Sequence, residues 1–118
     1  MSYDLDFWKY KKGTYFDNQE VYEKCSDEQT VEGLENLPIE SILEDIRMEF
    51  ISWKMIESNI DFENPKGKGT FQIFTTKQFV RFDCYGMDGE DMNRIIDVMD
   101  KYDCPLYDPQ VSQRYDEK

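Results

Sequence analysis

The sequence contains no histidine in 118 residues. That removes the commonest general base, the commonest zinc ligand and every Ser-His or Cys-His nucleophile arrangement. Cysteine is scarce too. Cys25, Cys84 and Cys104 are an odd number and none is spaced as CxxC, so a secreted disulfide scaffold is not expected and reduced thiols of the cytosol fit better. No apolar run approaches the ~18 residues that span a bilayer, and the N-terminus has no basic stretch leading into an apolar one, so no signal peptide is read there. Neither GxxxxGK[ST] nor GxGxxG occurs, which leaves phosphate cradling without support.

Positive charge is the other deficit. Lys and Arg total 14 against 26 Asp and Glu, giving a net charge of −12 at pH 7. Such a chain repels nucleic-acid phosphates and anionic membranes and attracts cationic partners, of which a basic protein is the plainest. The same charge also serves solubility alone. Aromatic residues are plentiful at 15%, which argues against disorder despite the 34% charged residues. The length suits one domain over residues 1–118, with a polar C-terminal tail from about residue 109.

Periodicity suggests the elements. Residues 3–10 alternate as a strand, with Tyr3, Leu5 and Phe7 on one side and Asp4, Asp6, Trp8 and Tyr10 on the other. Asp17 with Glu20 three residues later reads as a capping box for a short helix over about 18–25. "PIESILEDIRMEFISW" (38–53) carries Ile39, Ile42, Leu43, Ile46, Phe50 and Trp53 at three-and-four spacing, and Pro38 suits the first helical turn. "NIDFEN", "TFQIFTT" and "QFVRFDCYG" read as a three-strand meander, with "NPKGKG" a turn and 79–85 a central strand. "MDGEDMNRIIDVMDKY" is a helix capped by Asp88 with Met92, Ile95, Ile96, Met99 and Tyr102 inward, and "PLYD" is a short last strand. The expected fold is α+β: a mostly antiparallel sheet of about five strands, with two main helices and one short helix on one face.

Carboxylates are the only abundant reactive groups. Asp88, Glu90 and Asp91 lack the alternating ligands of a calcium loop, and a helix cap explains them more simply. The cysteines and methionines read as core. No cofactor or metal is implied. What remains unusual is the mixed acid and ring face of the first strand. Arg81, Asp83 and Tyr85 alternate in the same way, and Tyr107 and Asp108 stand near the other end. Asp4, Asp6, Trp8, Tyr10, Asp83, Tyr85, Tyr107 and Asp108 therefore form a candidate protein-binding set, in which rings supply contact area and acids supply charge selectivity. The plainer alternative buries Trp8 and Tyr10 beneath a loop or helix.

The phrases "MSYDLDFWKYKK", "TKQFVRFDCYGM" and "CPLYDPQVSQRYD" resemble those of small bacterial immunity proteins of polymorphic-toxin and contact-dependent growth inhibition systems. The resemblance implies a cytoplasmic antitoxin without enzymatic activity that neutralises a cognate toxin domain, often a basic nuclease. It carries over no contact residues. A small carboxylate-dependent enzyme and an acidic adaptor unrelated to toxins stand as the alternatives.

Overall fold

The computed structural model describes residues 2–56 and 60–115. The start of "NIDFEN" and the last three residues of the tail lie outside the described residues. The elements are β1 (Ser2–Phe7), α1 (Asn18–Ser26), α2 (Ile39–Glu49), β2 (Lys54–Met55), β3 (Asp61–Glu63), β4 (Thr70–Thr75), β5 (Val80–Tyr85), α3 (Gly89–Asp100), β6 (Leu106–Asp108) and β7 (Gln113–Arg114). The mixed α+β architecture is as expected. The sheet is wider than expected, with seven antiparallel strands among the described residues, in the order β2-β3-β4-β5-β1-β6-β7, rather than about five.

The two additional strands are the edges, each two residues long. Too short for a visible alternation, they escape any reading by period. One of them, β7, lies in the stretch expected to be a loose polar tail: Pro109 and the turn after Asp108 fold it back, so that Tyr107 pairs with Arg114 and Asp108 with Gln113. Short edges also present few free backbone groups to other chains.

Local chemistry fixes the helix starts. The Asp17 carboxylate accepts from the Glu20 N–H at 3.1 Å, and Asp88 accepts from the Asp91 N–H at 3.2 Å. Pro38 occupies the cap position of α2, just before the helix. That helix ends at Glu49 rather than running to residue 53. Phe50 and Trp53 still pack inward, through a turn in which the Trp53 N–H donates to the Phe50 carbonyl at 2.9 Å. The "NPKGKG" stretch is a hairpin turn: Asn64 N–H donates to Gly69 O and its side chain accepts from Lys66 N–H. Gly69 has φ +116°, and a Cβ there would lie 2.9 Å from the Met87 Cα, so glycine is required on both counts.

The main core lies between one sheet face and helices α2 and α3. Leu5 and Phe7 of β1, Phe71 and Ile73 of β4, and Val80, Phe82 and Cys84 of β5 meet Ile42, Ile46, Phe50, Ile95, Val98 and Met99. Phe71 is its hub, stacked on Phe62 at 4.8 Å and edge-on to Phe50 at 4.9 Å. Arg94 ties α3 to α2 by binding the Glu49 carboxylate at 2.8 Å and lying over the Phe50 ring at 4.4 Å. All three cysteines are free and buried, as the core reading expects.

The short helix does not join them. Val21 and Cys25 of α1 pack with Trp8, Phe79 and Tyr107 in a second cluster. Tyr107 sits opposite Asp6 in the β1–β6 ladder, so this cluster is on the Asp4 and Asp6 face. The expectation of three helices on one face is therefore corrected: α2 and α3 cover one side and α1 the other. The reason is legible afterwards. The outward positions Trp8, Phe79 and Tyr107 are themselves large rings, and they need a cover that α1 and the 27–36 loop supply.

Candidate functional site

Strand register determines which polar side chains meet. Across β1, β5, β4 and β3, Asp4 lies opposite Asp83, Asp83 opposite Gln72, and Gln72 opposite Asp61. Residues directly opposite share a face. The four side chains therefore form one row across the sheet, with three carboxyl groups spread over about 14 Å at the usual strand spacing. A second row beside it runs Ser2, Tyr85, Thr70, Glu63 and Lys54. On the opposite flank a third row runs Tyr107, Asp6, Arg81 and Phe74.

Helix α1 covers only part of this face. Its Tyr22 hydroxyl donates to Asp4 at 3.0 Å, Gln19 and Tyr107 share a short hydrogen bond, and Ser26 accepts from Arg81 at 3.3 Å. Val21 and Cys25 are the buried residues of α1. Two such side chains contribute on the order of 2 kcal/mol each, so the helix is held modestly. Toward β3 the face opens. Gln72 is exposed, Tyr85 keeps 46% of its surface and Ile56 38%, and with Asp61 and Thr70 they line a shallow depression of about 270 Å³.

The electrostatics are graded across the face. Asp83 is ion-paired with Arg81 at 3.0 Å, yet its carboxyl is pushed above the usual range, first by burial and then, against the pull of Arg81, by Asp4 opposite. Asp6 is more extreme. It has no accessible surface, and neither carboxyl oxygen has a hydrogen-bond partner among the described residues. Burial pushes it up to about 9; Asp4, Asp83 and Asp108 add to the rise, and Arg81 opposes it. At neutral pH Asp6 is therefore a neutral acid inside the protein. Burial, helped by Asp6, lifts the Cys25 thiol to about 12, which makes it an inert core group.

Set against these positions, the eight expected contact residues divide. Asp4 and Asp83 are half-buried members of the acid row, and Tyr85 is exposed beside it. Asp6, Trp8 and Tyr107 share the face but are fully enclosed under α1, so they make no surface here. The expectation for them is a surface position, and in the closed fold they hold the enclosed one. The cause is ring packing: Trp8 meets Tyr107 at 5.3 Å and Phe79 at 6.2 Å. Tyr10 is half-buried outside β1, its hydroxyl between Asn18 Oδ1 at 2.7 Å and the Phe16 carbonyl at 3.2 Å. Asp108 follows Tyr107 in β6 and so alternates away from the acid row, while still acting electrostatically on Asp6.

Other members of the site were not anticipated. Asp61 and Gln72 belong to the row only through register, which no single strand displays. Arg114 lies 5.1 Å from the Trp8 ring centre and 4.8 Å from that of Tyr10, and donates to the Trp8 carbonyl at 2.5 Å. Its only sequence signal is a cation within a polar tail. Among the described residues, no group of three or more Cys, Asp or Glu side chains is arranged to hold a metal ion, and no helix is long and apolar enough to cross a membrane. The arrangement is suited to meeting cationic groups on an open sheet face. A scan against protein-family models finds no match, and no curated protein matches the chain.

Proposed function

We propose that this chain is a non-enzymatic, cytoplasmic immunity protein that binds and neutralises a cognate, basic toxin domain. The observation that carries the reading is the Asp4–Asp83–Gln72–Asp61 row, flanked by exposed Tyr85 on the part of the sheet that α1 leaves open. Like charges opposite one another in a sheet destabilise it. A protein that keeps Asp4 across from Asp83 carries a local cost that a cationic partner would remove. Tyr85 and Ile56 add ring and aliphatic contact area next to the charge, and tyrosine is enriched at protein interfaces. The net charge of −12 extends the attraction beyond contact distance.

The test is co-expression. If a large secreted protein with a variable C-terminal domain is encoded beside this chain, that domain is the candidate toxin to test. Cells producing that domain should grow when the wild-type chain is present and stop growing when it carries Asp61→Lys with Tyr85→Ala. Failure of the wild-type chain to restore growth would refute the reading.

A further inference from the structure

We propose that α1 is a separately opening cover whose closure over the sheet requires a proton on Asp6. This inference goes beyond the toxin reading and does not depend on it, since it concerns the unbound chain.

The geometry states the problem. Asp6 stands near the middle of the seven-stranded sheet, in β1 between Arg81 of β5 and Tyr107 of β6. It is wholly enclosed and its two oxygens have no hydrogen-bond partner among the described residues. The groups that face it offer little to a negative charge. Asp4 of β1, Asp83 of β5 and Asp108 of β6 repel it. Arg81 is the cation in reach, and it is already bound to Asp83 at 3.0 Å. From α1 it meets Tyr22 and Cys25, and from β6 Tyr107; Cys84 acts on it from the other side of β5. Ionised Asp6 is therefore strongly disfavoured in the closed arrangement, and neutral Asp6 fits it.

The cover is the part best able to yield. The ladder partners of Asp6 lie in strands of the central sheet, whereas α1 is a nine-residue helix with two buried side chains, set between the 9–17 and 27–36 connections. Lifting it would let water reach Asp6. It would also extend the acid row with Asp6 and expose the Trp8 and Tyr107 rings, so that the open form would carry the buried members of the acid and ring face.

Linkage gives the sign. In the open form Asp6 has an ordinary carboxyl acidity, near 3.8, and in the closed form it holds its proton up to about 9. Between those limits each unit of pH multiplies the open population about tenfold, and above the upper limit the increase stops. Of the other groups that face Asp6 from α1 and β5, Tyr22, Cys25 and Cys84 are displaced upward to beyond this window, while the Asp83 carboxyl is also raised by burial, so the Asp83→Asn variant separates its titration from that of Asp6.

Amide hydrogen exchange between pH 5.5 and 8.5, corrected for the intrinsic pH dependence of exchange, tests this on the whole chain. The expected result has two parts. Protection of residues 18–26 is at least tenfold below that of α2 and α3 at each pH, and it falls about tenfold per unit in the wild type while staying flat in Asp6→Asn. Asp6→Ser serves as a second variant should the amide disturb folding, and Asp83→Asn should retain the slope. Equal protection of α1, α2 and α3 throughout would overturn the proposal, as would a slope that survives in both Asp6 variants.

Discussion

Asp4 and Asp83 lie directly across from one another in the β1–β5 ladder, and each carboxylate has its own donor: Tyr22 for Asp4 and Arg81 for Asp83. Asp4→Asn keeps an oxygen to accept from Tyr22 and removes the opposed charge. The variant should be more stable by roughly 0.2–1 kcal/mol, the usual scale of a cross-strand pair. Urea unfolding at pH 7 checks it, and a loss of stability would mean that the pair is not repulsive in the fold.

Asp6 sets a larger effect with a defined pH window. Its folded acidity lies near 9 against 3.8 for an ordinary Asp, so the fold favours the protonated form. The penalty is absent below about pH 4, grows by about 1.4 kcal/mol per unit as pH rises, and levels off near 9. Asp6→Asn should therefore unfold later than the wild type at pH 7, by up to about 4 kcal/mol, and the gap should shrink to about 1–2 kcal/mol at pH 5. Paired denaturant titrations at the two pH values measure it. A gap that is constant with pH would show that Asp6 is ionised in the fold.

Gln78 is the buried polar residue that anchors the 27–36 connection. Its amide accepts from the Val31 N–H at 3.1 Å and donates to the Val31 carbonyl at 2.8 Å and the Leu34 carbonyl at 3.4 Å. Gln78→Leu strands these backbone groups, at a cost of about 1–3 kcal/mol for a buried unsatisfied group. Urea unfolding should register that loss, and exchange of the Val31 amide should quicken. An unchanged Val31 amide would show that water replaces the side chain.

Much of this fold is written in short-range signals. The Asp17 and Asp88 caps, the spacing of Ile39, Ile42 and Ile46, and the alternation of 71–74 and 80–85 each act within a few residues, so helices and long strands can be read directly. What could not be read depends on distant partners. β2 and β7 are strands because β3 and β6 lie beside them, and two residues hold no period. The site divides along the same line. Asp4, Asp83 and Tyr85 stand out by alternation. Asp61 and Gln72 join them only when three ladders are in register. Trp8 and Tyr107 alternate onto the same face as Asp4, and alternation is silent about a helix packed over that face.

In the proposed role an acidic, ring-bearing sheet face captures a cationic protein. Stopped-flow association of the purified chain with the candidate toxin domain identified by co-expression tests this, at low and high salt and with Asp61→Lys and Tyr85→Ala. Steering by charge should make the wild-type association rate fall by about tenfold or more as salt rises. Asp61→Lys should slow association at low salt, and Tyr85→Ala should chiefly hasten dissociation. An association rate indifferent to both salt and Asp61→Lys would contradict the account.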